Sequence, residues 1–567
     1  MLRLLTALLL TLSTLAPLPT AVRAQSRSGQ RTSAATAAAP GRRAAETITA
    51  AQLKDYLSFV ASDLMEGRDT PSRGLDITAQ FIATNLSRWG VKPAGDGGTY
   101  FQKIALRRTR VNSAQTSAEI MGQTYRYGED FLAQLSLPGI NGALMGTGTG
   151  SLVYVGNGWV IKSKNMDAYQ GVDVSGKVMI VAGSGFPRGV TYNDLRTGKR
   201  GQDWSDPMTY AVAHGARGII YIPGFQTLAF WNRTRQNAEE RGAIIVEKFQ
   251  NPANASSATV PAIVASLPML NTLMRGESRS ASDLFEKSVA GESVAAFDLA
   301  PSKKATLNVA VQTDTITTQN VVGIWEGSDP VLKNEYVAVG AHYDHVGVGV
   351  PVNGDAIYNG ADDDGSGTVA VLAMAEAFAH NPRPKRSILF VWHCGEEKGL
   401  WGSRYFTENP TVPLNQVVTQ LNIDMIGRSK PQSDTNPRDA ELSGANEIYV
   451  IGSKMMSTEL GELSDRVNQS YLNINYNFKY DDPNDPNQFF FRSDHYNYAR
   501  RGVPIIFWFD GEHVDYHRPG DEVSKIDFQK MERVTRTIFL TGWELANLPT
   551  RPKVDKQLPT ELNREGD

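Results

Sequence analysis

His342, Asp362, Glu397, Asp424 and His517 are residues whose types suit a divalent cation. Imidazole nitrogen and carboxylate oxygen without thiolate favour zinc, with cobalt or manganese as substitutes. A single catalytic zinc takes about three protein ligands and keeps a position open, so five donors exceed its need. If one carboxylate bridges, the same five hold two ions, and three carboxylates with one hydroxide nearly cancel the charge of two dications. Two ions about 3.5–4 Å apart can activate water and polarise a carbonyl, which is the chemistry of hydrolysis. The segment HCGEEKGLWGS places Glu396 beside Glu397. Neighbouring side chains on a strand point to opposite faces, so both glutamates serve one site only where the strand has ended and the backbone turns. Gly395 and Gly399 permit that turn.

These residues follow apolar runs. EYVAVGAH leads to His342 and Asp344, SILFVWHC to the two glutamates, QVVTQLNI to Asp424, and VPIIFWFDG towards His517. Asp362 stands in NGADDDGSG, just before a helical run that Asn381-Pro382 ends. From about 319, Val- and Ile-rich strands alternate with helices, which predicts an α/β domain: a mostly parallel, mixed sheet sandwiched by helices. Open sheets of this kind bind ligands at the carboxyl ends of their strands. Helical spacing also marks AAQLKDYLSFVASDLM and GLDITAQFIATNLSRWG near the start. Between about 130 and 300 the texture changes to short β runs with glycine-rich turns, such as GKVMIVAGSG and ARGIIYIPG.

Other polar residues have blander readings. Asp363 and Asp364 suit the turn and helix N-terminus, and His345 could be a ligand by composition. Asp494 and His495 of RSDHYNY are candidates to line a substrate pocket. His513 is a loop residue without an assigned role, and His214 and His380 read as surface residues. Cys394, the one cysteine, reads as a small buried thiol.

The 567 residues call for two or three domains. A formal charge of −3 offers no basic surplus for a nucleic-acid backbone. The start, MLRLLTALLLTLSTLAPLPTAVRAQ, has a short positive end, an apolar run too short to span a bilayer, and small residues before a cut after Ala24. It reads as a secretory signal peptide, leaving no stable membrane anchor. An exported chain that cannot form an internal disulfide fits a bacterial periplasm or secretion.

GAHYDHVG, NGADDDGSG, HCGEEKGLWGS, LNIDMIG, RSDHYNYARRGVPIIFWFDG and DYHRPGDEVSKID, in this order, resemble the motifs of metallopeptidase family twenty-eight, the two-zinc aminopeptidases. The stretch EGRDTPSRGLDITAQFIATNL adds to the likeness. The resemblance implies that His342 and Asp424 bind one zinc, with Asp344 orienting the His342 ring. Glu397 and His517 would bind the other, and Asp362 would bridge the two. Glu396 would be the general base, taking a proton from the attacking water and passing it to the leaving amine. A cis peptide would join Asp362 to Asp363. Substrates would be peptides with a free N-terminus. The β-rich region looks like an inserted protease-associated domain. The implied order is signal peptide 1–24, disordered linker 25–47, catalytic domain 48–129 and 301–548 around an insert 130–300, and a loose tail 549–567. A glutaminyl-cyclase-like or carboxypeptidase-like activity on this scaffold is the alternative; a non-catalytic binding protein is disfavoured by the complete ligand set.

Overall fold

The structure, a computed structural model, describes residues 40–134, 144–183, 185–195, 198–250, 259–482 and 484–558. The expected signal peptide and residues 25–39 of the expected linker lie outside them.

One sheet carries the site. Its strands are β1 (Phe101–Val111), β2 (Ala243–Val246), β3 (Val311–Trp325), β4 (Tyr336–His342), β5 (Ser387–His393), β6 (Val417–Ile423), β7 (Glu447–Ile451), β8 (Asn475–Asn477) and β9 (Ile505–Phe509). They lie in the order β2-β1-β3-β5-β4-β6-β9-β7-β8, and Lys92–Pro93 adds a short edge to β3. The centre, β5-β4-β6-β9, is parallel. The flanking pairs β3-β5, β1-β3 and β7-β9 are antiparallel, so the sheet is mixed around a parallel core.

The alternation of side chains explains why it is covered twice. Val337, Val339 and Ala341 join one apolar cluster with Ile388, Phe390 and Trp392. Ala338, Leu389 and Val391 join another on the opposite face. Helices α1 (Pro40–Ala45), α2 (Ala50–Val60), α3 (Arg73–Arg88), α4 (Gly367–Ala379) and α5 (Phe528–Asn547) contribute to the first cluster. All of α4 except Glu376 and Ala379 is buried, and Glu376 accepts the Tyr56 hydroxyl at 2.6 Å. A helix apolar around its circumference belongs in such a central layer. Among the described residues no helix is long and apolar enough to cross a membrane.

The structure corrects three expectations at the domain edges. Residues 40–45 form a helix with Gly41, Ala44 and Ala45 buried; a Cβ at Gly41 would lie 2.5 Å from the Trp543 ring. The low-complexity look of this run conceals small residues that let backbone approach an indole. The tail is tied down as far as Leu558: Asp555 and Lys556 donate their N–H groups to the Met456 carbonyl at 3.1 Å. The β-rich region forms its own nine-stranded sheet, which spans 117–309 rather than 130–300. Long antiparallel β1 and β3 lead into and out of it. Residues 243–246 return from within it as β2, an edge strand of the main sheet.

Candidate metal centre

The candidate residues collect at the carboxyl ends of β4, β5, β6 and β9. Asp363 sits in the turn before α4. Its Oδ1 lies 3.3 Å from His342 Nε2 and its Oδ2 lies 3.1 Å from His517 Nε2. His342 Nε2 is also 3.5 Å from Asp424 Oδ1. His517 Nε2 is 3.0 Å from Glu397 Oε2. One carboxylate therefore faces two separate imidazole–carboxylate pairs.

That carboxylate belongs to Asp363, which corrects the expectation for Asp362. The Asp362 side chain turns away, with Oδ1 accepting the Gly427 N–H at 2.7 Å and Oδ2 lying 3.4 Å from His513 Nε2. The cis peptide joins Asp363 to Asp364, one bond later than expected. Asp364 is occupied with backbone: it accepts from Gly367 and Met425 through Oδ1 and from His342 through Oδ2. Buried Asp521 accepts the N–H groups of Asp362 and Asp363, which sets the register of the turn.

The glutamate turn is held equally closely. The N–H groups of Cys394, Gly395 and Glu396 donate to Asn320 Oδ1, Thr70 Oγ1 and Asp344 Oδ1 at 3.0, 3.0 and 3.2 Å. Gly395 has φ +69° with Trp401 and Thr70 close to its would-be Cβ, so glycine is required there. Glu396 Oε2 stands 4.0 Å from His342 Nε2. His342 Nδ1 donates to the Asp344 backbone carbonyl at 3.2 Å, with the Asp344 carboxylate 3.7 Å away. This fixes the tautomer that leaves Nε2 with its lone pair facing the cluster.

Arg68, from the EGRD stretch, is fully buried. Its guanidinium donates to the carbonyls of Tyr343, Val60, Asn359 and Gly360 at 2.7–3.0 Å. It thus fastens the end of β4 to the start of the aspartate turn.

The electrostatics call for a cation. His342 Nε2, Asp363 Oδ2, Glu397 Oε1 and His517 Nε2 are buried without hydrogen-bond partners, and they converge. Burial alone would lower the His517 imidazole, yet the facing Asp363 and Glu397 carboxylates push it up to about 10. Burial also pushes the Glu396 carboxyl well above its usual range; His342 opposes this, and Glu397 and Asp424 add to it. Oxygen and imidazole donors without sulfur around this negative potential fit zinc.

Beside the cluster opens a recess. Glu396, Asp424 and Asp363 face it, with Phe489, Phe507 and Phe509 as an apolar wall. At its rim Arg492 pairs with Glu512 at 2.6 Å. Asp494 and His495 do not line it, contrary to expectation. Asp494 lies 3.4 Å from His393 Nδ1 beneath the site. His495 stacks on Phe507 and is fully buried, which pushes its imidazole down to about 3. Their neighbours Arg492 and Ser493 face the recess instead, together with Tyr516. A one-turn helix, His495–Ala499, starts here and turns 494 and 495 inward. Cys394 is buried as expected, with burial pushing its thiol up.

Residues 320–541 match the model of peptidase family M28. Leucine aminopeptidase 2 of Trichophyton equinum is 28% identical over 297 residues, covering 47% of this chain and 53% of the relative. A probable zinc metalloprotease of Pyrenophora teres f. teres is 29% identical over 269 residues, covering 42% and 53%. The chain thus spans about half the length of these curated relatives. Among solved structures, the aminopeptidase from Aneurinibacillus sp. strain AM-1 aligns over 91% of this chain and 97% of its own, with a TM-score of 0.50 and 15% identity. That likeness is one of fold.

Proposed function

Residues 320–541 belong to peptidase family M28, and from that premise we propose that the chain is an exported two-zinc aminopeptidase acting on peptides with a free N-terminus. The observation that carries the reading is the Asp363 carboxylate, whose two oxygens lie 3.3 and 3.1 Å from His342 and His517. In this reading His342 and Asp424 would hold one ion and Glu397 and His517 the other, with Asp363 offering an oxygen to each. When bound, the ions supply positive charge that polarises the scissile carbonyl and makes water a better nucleophile at neutral pH.

The chain's own groups do the rest. Glu396, anchored through its N–H on Asp344, takes the proton of the attacking water and returns it to the leaving amine. The phenyl wall of Phe489, Phe507 and Phe509 receives the side chain of the first residue and keeps water from it. The carboxylates on the recess floor suit a protonated or neutral α-amine and repel a carboxylate, which favours the N-terminal end of a peptide. The reading also makes 1–24 an export signal and the sheet of 117–309 a protease-associated domain beside the site.

The test is mass spectrometry of a mixed peptide pool treated with the mature, zinc-loaded protein, with free and acetylated N-termini in parallel. Stepwise loss from free ends alone is expected. Cutting of acetylated peptides would mean a carboxypeptidase or endopeptidase. Silence in both pools with metal bound would point to cyclisation or to non-peptide amides.

A further inference from the structure

We propose that His345 is a sixth protein donor of this metal site, offering Nδ1 to the ion held by Glu397 and His517. The proposal rests on the two-metal reading above and goes beyond the five residues that it needs.

The His345 ring is fully buried, and neither ring nitrogen has a hydrogen-bond partner. An unpaired buried imidazole is costly, so its persistence calls for a partner of another kind. One ring nitrogen each of His345 and His517 and one oxygen each of Asp363 and Glu397 all lie within 4.8 Å of one another. Nδ1 is 3.6 Å from Asp363 Oδ2 and 2.8 Å from Glu397 Oε1. His517 Nε2 is 3.1 and 3.0 Å from oxygens of the same two carboxylates. Donors about 2.0–2.2 Å from a tetrahedral zinc stand roughly 3.3–3.6 Å apart. The four nitrogen–oxygen separations therefore lie within about half an ångström of the spacing that such a cage needs.

A hydrogen bond from His345 to Glu397 is the competing account. The 2.8 Å separation is short enough, yet Nδ1 and Oε1 both remain without a hydrogen bond. The ring is also held in place. The His345 N–H donates to the Arg68 carbonyl at 3.2 Å, and Gly360 packs so closely that a Cβ there would lie 2.5 Å from His345 Cγ.

The consequence is asymmetry. The His342 side has three protein donors, namely His342, Asp424 and an Asp363 oxygen. The His345 side has four, so its ion is the more tightly held and the other keeps the more open position.

X-ray absorption on the zinc-loaded wild-type chain should find three imidazoles shared by two ions. Two imidazoles would overturn the proposal. Competition with graded chelators, read as zinc content, should show one tight and one weaker ion. His345→Asn keeps a polar atom near Nδ1 but no imidazole, and should weaken the tight ion at least ~100-fold, more than loss of an outer hydrogen-bonding partner costs. Wild-type affinity for both ions in His345→Asn would also overturn it. If that variant fails to fold, as judged by circular dichroism, the wild-type absorption spectrum decides. None of these readouts depends on hydrolysis, so an inactive but two-zinc protein leaves the proposal standing. A protein that takes up no zinc overturns it together with the reading beneath it.

Discussion

Replacing Asp363 by asparagine should strip the chain of metal, whereas the same change at Asp362 should not. The two Asp363 oxygens lie 3.3 and 3.1 Å from the imidazole nitrogens of the two half-sites. As a direct donor to each ion the carboxylate counts for more than an outer hydrogen-bonding partner, whose loss costs about 10–100-fold. Asparagine removes the charge and keeps one amide oxygen, so the expected loss is at least on the order of 10²-fold in affinity, or about 2–3 kcal/mol, for each ion. Asp362→Asn keeps its acceptor for the Gly427 N–H and weakens only the contact with His513. It should cost ~1–3 kcal/mol of stability as a buried polar change and leave the metal in place. Both variants would be dialysed against graded zinc–chelator buffers and analysed for bound zinc. Loss of metal from Asp362→Asn with retention in Asp363→Asn would refute the geometric argument.

Three further perturbations bear on separate links of the account. Glu396→Gln should keep both ions and lower kcat by about 10²–10⁴, or roughly 3–5 kcal/mol, while KM stays near its wild-type value; undiminished turnover would remove Glu396 from the reaction. In chelated protein His517 is pushed up to about 10, against about 6.5 in an unfolded chain. Because the folded value is the higher one, its contribution to stability is complete below about 6.5 and is lost as pH rises towards 10. The melting temperature of the metal-free protein should therefore fall across that window, and His517→Gln should show much less of the fall. Gly41→Val drives a branched side chain into Trp543 and should cost ~1–3 kcal/mol, read from the denaturant midpoint; an unchanged midpoint would mean that Pro40–Ala45 is not docked.

Much of the site was legible because its residues stand where apolar strands end. His342, Glu396, Glu397 and Asp424 each follow such a run, and the structure places all four at one edge. The aspartate turn was legible only to within one residue. Its three aspartates are chemically identical, and what separates them is tertiary: the Gly427 N–H and His513 hold the Asp362 side chain in a different direction from that of Asp363. Asp494 and His495 misled for a related reason, since a short helix begins at that point and only Arg492 and Ser493 keep facing the recess. Arg68 could not have been weighted, because its four acceptors are backbone carbonyls, which carry no sequence signal. At the level of the fold, the alternation of strand and helix conveyed the parallel core. It did not convey β2, which pairs with β1 from more than a hundred residues away in sequence. Nor did it reveal that the alanine-rich run at 40–45 is packed, since small residues mark both loose chain and close approach.

The central claim is that two ions sit on either side of Asp363. Crystals of the zinc-loaded chain measured at the zinc absorption edge test it most directly. Two anomalous peaks about 3.5–4 Å apart are expected, one beside His342 and Asp424, the other beside Glu397 and His517, with the Asp363 carboxylate between them. A single peak, or a pair that straddles Asp362 instead, would contradict the account.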